Sequence, residues 1–202
     1  MRYLGFGFGP IQSGLMLYEA SRSGNFDHFT IVEVDKALVK AIRENGSRYT
    51  LNIASQDGIH QELVENVTML DSTDAADLAG IKKEISLADE MSTALPSVAF
   101  YTRGKPSVAE LLREGIDDAK NRILYASENH NHAAEILVGN IKSASVPTPH
   151  SHALKGSGAV AALNTVIGKM SGVIQDPAVI QKLGLAALAP GFPRAILVES
   201  FN

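Results

Sequence analysis

The sequence predicts an α/β fold: a doubly wound, mainly parallel sheet with helices on both faces and a β-hairpin insertion. Three observations predict it. An apolar run, Tyr3-Leu4-Gly5-Phe6, enters a glycine turn, Gly7-Phe8-Gly9-Pro10, and a segment of helical period follows over residues 11–23. A second apolar run over residues 29–34 carries an acid, Glu33, near its end. From there on, strand-like and helix-like segments alternate, the pattern that sets a parallel sheet between layers of helices.

The remaining elements follow in order. Leu15, Leu17, Tyr18 and Ala20 mark the apolar positions of the first helix, which Gly24-Asn25 stops. Residues 36–44 read as a helix with Leu38, Val39 and Ile42 inward and Asn45-Gly46 as its C-cap. Residues 49–54 and 59–64 are strand-like and flank Asp57-Gly58, a strong hairpin signal. A strand is expected over 66–70, a helix over 75–85 and a short strand over 90–94. Residues 107–120 are amphipathic, and Ser107 with Glu110 three residues on fits a helix N-terminus. Residues 122–126 read as a buried strand ending in polar Ser127-Glu128-Asn129, and 133–142 as a helix. Residues 143–158 read as a loop, 160–174 as apolar with an ambiguous period, 177–183 as a short helix and 195–198 as a final strand.

The opening is how a nucleotide-binding Rossmann-type unit begins. Glycines let the backbone approach a pyrophosphate, and the positive helix end beyond them favours the anion. Gly7, Phe8, Gly9, Pro10, Ile11 and Gln12 are therefore the expected contact segment, with the N–H groups of Phe8, Gly9 and Ile11 toward the pyrophosphate. Glu33, roughly 20 residues beyond the turn, is placed to accept ribose hydroxyls, with Val34 beside it. Its charge would repel a 2′-phosphate, so the expected cofactor is NAD rather than NADP. Two features depart from the fingerprint. Gln12 stands where a third glycine usually permits close helix–strand packing, with Gly14 available to relieve crowding. Pro10 suits the first helical position but removes one donor. The same residues also read as a tight turn with no ligand, and Glu33 as a solvated strand end. Asp35 reads as the N-cap of the next helix.

Composition bounds the function classes. The chain has 202 residues, a formal net charge of −4 and no cysteine. No basic excess points to nucleic acid. Disulfides, thiolate metal sites and cysteine nucleophiles are excluded. No apolar run has the length to span a bilayer. With the first strand starting at residue 2, no signal peptide is expected, and the expected location is cytoplasmic.

Taken with later segments, the turn resembles that of the mannitol dehydrogenase family, particularly its mannitol-1-phosphate 5-dehydrogenase branch. Ile31-Val32-Glu33-Val34-Asp35 is similar to the family's second strand end. Ser92-Thr93-Ala94 resembles its Thr-Thr-Ala segment, and Glu128-Asn129 its Glu-Asn or Asp-Asn pair. Leu197-Val198-Glu199-Ser200-Phe201 resembles the strand that closes the Rossmann domain. The resemblance implies that Thr93, Ala94 and Glu128 flank the cofactor. It implies that Asn129 donates its amide to the reacting oxygen of a sugar alcohol or ketose, where a donor aimed at developing charge aids hydride transfer; capping the following helix is the alternative. It further implies hydride exchange with a nicotinamide cofactor, and a separate helical domain supplying a catalytic lysine. Residues 1–202 then read as the cofactor domain alone, with a surface meant for the missing domain that could self-associate. Ile167-Gly168-Lys169-Met170 departs from the family's Val-Asp-Arg-Ile segment, which puts the substrate end in question.

Competing functions have their own features. Gly5-Phe6-Gly7-Phe8-Gly9 gives the three alternating glycines of an S-adenosylmethionine-dependent methyltransferase, although Tyr3-Leu4 rather than an acid precedes them. A non-catalytic dinucleotide-binding module fits the same turn. His130 with His132 and His150 with His152 form two His-x-His pairs in polar loops, read as solvated side chains rather than a metal site. No Gly-x-Ser-x-Gly elbow supports a serine hydrolase. Arg103-Gly104-Lys105-Pro106 reads either as a guard of the cofactor cleft or as an exposed loop.

Overall fold

The chain runs through ten strands among its described residues. They are β1 (Arg2–Phe6), β2 (His28–Glu33), β3 (Tyr49–Ser55), β4 (Gly58–Val64), β5 (Val67–Asp71), β6 (Glu90–Thr93), β7 (Arg122–Ala126), β8 (Val160–Asn164), β9 (Ser171–Ile174) and β10 (Ala195–Glu199). The helices between them are α1 (Leu17–Arg22), α2 (Lys36–Glu44), α3 (Ala75–Leu87), α4 (Val108–Gly115), α5 (Ala133–Ser143) and α6 (Pro177–Leu183). A π-helical turn, Gln12–Met16, leads into α1, and a 3₁₀ helix, Val98–Thr102, follows β6. This computed structural model describes residues 1–117, 120–143, 160–168 and 170–200.

Six strands form a sheet in the order β5-β2-β1-β6-β7-β8, and every pairing in it is parallel. With the β3–β4 hairpin set aside, that is the 3-2-1-4-5-6 order of the dinucleotide-binding fold. The chain builds outward from β1 to one edge, then crosses to the other side of β1 and builds outward again. The crevice at this switch point, beyond the carboxyl ends of β1 and β6, is where such sheets take ligands.

The central strands are apolar on both faces because both faces are covered. Tyr3, Phe29 and Ile31 face a core that also takes in Leu17, Leu38, Ile42, Leu51, Ile196 and Val198. Leu4, Phe6, Val32, Met91 and Leu124 face the opposite core, with Ile81, Ile85, Leu111, Leu112 and Leu137 of the helices there. No described helix is long and apolar enough to cross a membrane.

The hairpin is more than an insertion. β3 and β4 pair antiparallel as Asp57-Gly58 predicts, but β3 also pairs in parallel with β10, and β10 pairs antiparallel with β9. The result is a second sheet, β4-β3-β10-β9. The final strand therefore closes this sheet rather than the parallel one. Its inward side chains Ile196 and Val198 join the core shared with the hairpin, and Val198 lies against the π turn. The stretch of ambiguous period, 160–174, divides between the sheets: β8 extends the parallel sheet and β9 ends the second one.

Glycine fixes how closely the two sheets approach. At Gly14 an added Cβ would run into Val198 Cγ1, so this position lets the π turn lie directly on β10. The crowding Gly14 relieves is thus against the second sheet. Tyr49 ties the same layers by donating its hydroxyl to Ser13 O at 2.6 Å.

Local capping signals hold. Asp35 Oδ1 accepts from the N–H groups of Ala37 and Leu38, both at 3.1 Å. Ser107 and Glu110 form a reciprocal capping box at the start of α4. That helix ends at Gly115, short of residue 120: Gly115 packs so tightly on Ile85 that a Cβ would lie 2.6 Å from it, and Ile116 is already extended. Residues 118–119 and 144–159 lie outside the described residues, with most of the predicted 143–158 loop, His150 and His152.

Two outcomes are expected. Gly14→Ala should destabilise the protein by about 1–3 kcal/mol through overpacking, read as a lower urea midpoint at unchanged slope. Ser107→Ala should cost about 1 kcal/mol. Bonds from the Ser107 N–H and hydroxyl hold the Glu110 carboxyl below its usual range. Folding lowers this pKa, so the linked stability is present above the ordinary carboxylate range and is lost as pH falls through the folded value. The difference between wild type and Ser107→Ala should therefore narrow in acid denaturation series.

Candidate functional site

A cavity of about 650 Å³ opens at the switch point. Five neighbouring strands of the parallel sheet deliver their carboxyl ends to it. β1 contributes Phe6 through Ile11, β2 contributes Glu33 and Val34, and β5 contributes Ser72 and Thr73. From the other side come Ala94 and Leu95 after β6 and Ser127 after β7. Phe100 of the 3₁₀ helix, the loop from Arg103 to Pro106 and two residues of α4, Val108 and Leu111, complete the wall.

The turn after β1 is built for close approach. Gly7 has φ +82°, a left-handed conformation that favours glycine. A Cβ there would lie 2.9 Å from Ala94 O. The Gly7 N–H donates to Val32 O at 2.9 Å, and Ala94 N–H donates to Phe6 O at 3.0 Å, so the turn is held by both neighbouring strands. Phe8 turns its ring away from the opening and meets Tyr49 edge-on at 5.0 Å. The amides of Phe8 and Gly9 find no acceptor among the described residues, and Pro10 starts the helix.

At one end, Glu33 folds its Oε1 back to accept from the N–H groups of Val34 at 2.7 Å and Asp35 at 3.2 Å. Its second oxygen has no protein donor among the described residues. Val34 is strongly exposed beside it. At the other end, Ser127 donates its N–H to Thr93 O at 2.9 Å, while its buried Oγ has no partner among the described residues.

The structure brings Gly7, Phe8, Gly9, Pro10, Ile11, Glu33, Val34 and Ala94 together on this cavity. Gln12, Thr93 and Glu128 lie buried, outside its lining, and Asn129 is exposed beyond the end of β7. Gln12 closes a ring of three hydrogen bonds: its Nε2 donates to Tyr3 Oη at 2.7 Å, its Oε1 accepts from Ser92 Oγ at 2.8 Å, and the two hydroxyls bond at 2.6 Å. The space for this side chain comes from Gly5, where a Cβ would strike Gln12. Burial pushes the Tyr3 phenol well above its ordinary pKa, so it stays protonated within the ring.

Glu128 works from below. It accepts from Thr93 Oγ1 at 3.0 Å, from Leu95 N–H at 2.9 Å and from the hydroxyl of fully buried Tyr101. Burial first, and the Glu128 carboxylate second, raise the Tyr101 pKa, which keeps that donor protonated. The carboxylate so joins β6, β7 and the 3₁₀ helix beneath the cavity. Asn129 does not cap α5; Asn164 Oδ1 accepts from Ala134 N–H there at 2.8 Å. His130 and His132 are exposed, and His132 Nδ1 lies 3.5 Å from Glu135.

This architecture has solved counterparts. The chain superposes on octopine dehydrogenase, solved with NADH and pyruvate, with a TM-score of 0.54 at 14% identity. The match covers 99% of this chain and 40% of that chain, and it establishes a Rossmann-like α/β fold. No protein-family model matches the sequence, and no curated protein does.

Some cavity residues carry a sequence signal that motif reading passes over. Ser72 and Thr73 follow an apolar strand as polar residues, the same strand-end signature that drew attention to Ser127 through Asn129. Phe100 carries no such signal, because only the fold of the segment after β6 brings it to the opening. Gln12→Leu should remove two of the ring's three hydrogen bonds, leaving the Tyr3 and Ser92 hydroxyls bonded only to each other, and lower stability by about 1–3 kcal/mol, measurable by chemical denaturation. Gln12→Leu combined with Tyr3→Phe and Ser92→Ala, which removes the whole ring, should recover part of that loss.

Proposed function

We propose that this chain is the NAD(H)-binding domain of a dehydrogenase. The observation that carries the reading is the convergence of five parallel strand ends on one cavity, with a left-handed glycine turn at its centre and an acid on its rim. The residues fit such a cofactor. The Gly7 position would be filled by any side chain, and among the described residues two amides of the turn lack acceptors and Ser127 Oγ lacks a partner. Gly7, Phe8, Gly9 and Ile11 hold the pyrophosphate in this proposal, with Pro10 setting the helix start. Glu33 accepts the adenosine ribose hydroxyls, with Val34 flanking it, and disfavours a 2′-phosphate. Ala94 lines the nicotinamide side, while Gln12, Thr93 and Glu128 position the turn and strand ends from beneath. The cofactor supplies hydride exchange; the protein's role is to bind, orient and exclude water.

The finer proposal is a polyol substrate, a sugar alcohol or its ketose, as the family resemblance implies. Asn129, exposed just past β7, is then the donor to the substrate oxygen, and a helical catalytic domain supplies the base. Exposed Leu163, Val166, Met170 and Val173 give that domain, or a second copy of the chain, an apolar surface to cover.

Calorimetric titration tests the reading. Saturable NADH binding is expected, weaker for NADPH, and Glu33→Ala should cost about tenfold in NADH affinity while narrowing the preference between the two. Binding of S-adenosylmethionine with indifference to NADH would replace this function with methyl transfer.

A further inference from the structure

The loop between the 3₁₀ helix and α4 places two cations, Arg103 and Lys105, on the wall of the cavity. The other charged residue on that wall is Glu33, so the lining carries two positive charges against one negative. Among the described residues neither cation is paired with a carboxylate. The Arg103 guanidinium lies over the Phe100 ring, 4.4 Å from its centroid, and both side chains are exposed. Lys105 is near enough to Glu110 to favour its ionised form, but that carboxylate is already engaged by the N–H and hydroxyl of Ser107 at 2.7 and 2.8 Å.

The loop is also anchored at both ends. On its entry side Tyr101 is fully buried and bonded to Glu128, and Arg103 N–H donates to Phe100 O at 3.3 Å. On its exit side the Ser107–Glu110 capping box pins the start of α4. Gly104, at φ +87°, makes the bend between the two cations. A segment so held loses little further freedom when a ligand arrives. Across the same cavity the glycine turn offers amides but lacks one at Pro10, and it offers no side-chain charge.

We infer that Arg103 and Lys105 form a cationic wall that binds the phosphates of the ligand whose backbone contacts are made by the glycine turn. The inference rests on the proposed dinucleotide site and names a second set of contacts for it. The turn gives directional N–H donors; the guanidinium fork gives paired bonds to phosphate oxygens, and the ammonium gives a point charge. A cleft lined this way attracts an anion before contact is made, and the attraction weakens as salt screens it. The ligand class is a nucleoside diphosphate or dinucleotide. A nucleoside without phosphate gains nothing from this wall.

The test is calorimetric titration of the whole chain and of Arg103→Ala, Lys105→Ala and the double variant, with NADH, adenosine and inorganic pyrophosphate as separate probes. Both side chains are exposed, and matching thermal melts would verify that the variants fold. Each single variant should bind NADH about tenfold more weakly, the double variant more weakly still, with adenosine affinity unchanged. The dependence of NADH affinity on sodium chloride should be shallower in the double variant. NADH affinity in the double variant within about twofold of wild type, or a parallel loss for adenosine, would overturn the cationic wall and leave the dinucleotide reading standing. A wild type that ignores NADH but binds pyrophosphate through these two side chains would keep the wall and overturn the dinucleotide reading. Binding of neither overturns both.

Discussion

The ligand-facing carboxyl end of the parallel sheet depends on one close approach, the passage of the Gly7 backbone against the Ala94 carbonyl. A side chain at Gly7 would contact that carbonyl at 2.9 Å and would also have to tolerate φ +82°. Because none is there, the ends of β1 and β6 stay joined by the bond from Ala94 to Phe6, and the turn bends over β2 through the bond from Gly7 to Val32. The amides that follow are left facing outward at the head of a helix. Every other feature of the cavity is referenced to this point. Glu33 lies one strand away on one side, and Ser127 lies two strands away on the other.

Beneath the turn, the protein solves a packing problem in an unusual place. The position that commonly holds a third glycine holds Gln12, and the small residue has moved to the opposing strand as Gly5. The exchange puts a polar side chain in the core, which is tolerable because each of its two polar atoms meets a hydroxyl. Tyr3, Gln12 and Ser92 thus weld β1, the first helix and β6 at the point where the ligand cavity begins. The π turn starting at Gln12 belongs to the same adjustment, and such turns concentrate at functional sites. Glu128 has a matching role in the next layer, gathering Thr93, Leu95 and Tyr101.

What was legible in the sequence was local. The Asp35 cap, the Ser107–Glu110 box, the Asp57-Gly58 hairpin and the glycine turn each act within a few residues, and each appears where the residues place it. What was not legible depends on partners far away in the chain. Nothing in Leu197 or Val198 says that they will pair with Asn52 and Ile53 instead of extending the parallel sheet. Gln12 looks like a flaw until Ser92 and Gly5 are placed around it. Residues 160–174 have no clear period because one strand in them forms an exposed edge and the other belongs to a different sheet. The cavity lining shows the same division: the turn and Glu33 are read from spacing, whereas Arg103-Gly104-Lys105-Pro106 reads from sequence as either a cleft guard or an exposed loop, and only the fold of the segment after β6 decides that it lines the wall.

The parallel pairing of β3 with β10 bears on the order in which this protein can be assembled. Asn52 pairs with Leu197, far along the sequence, and pairings of such separation form slowly. As the chain emerges from synthesis, the parallel sheet gains its first strands early, while Leu51 and Ile53 of the hairpin have no cover on the side that β10 will take. Gly14 lies directly under Val198, so the packing around the turn that leads into α1, begun by Tyr49, is completed only when β10 arrives. A turn near the start of the sequence therefore takes its final contact from a strand that lies about 180 residues further along.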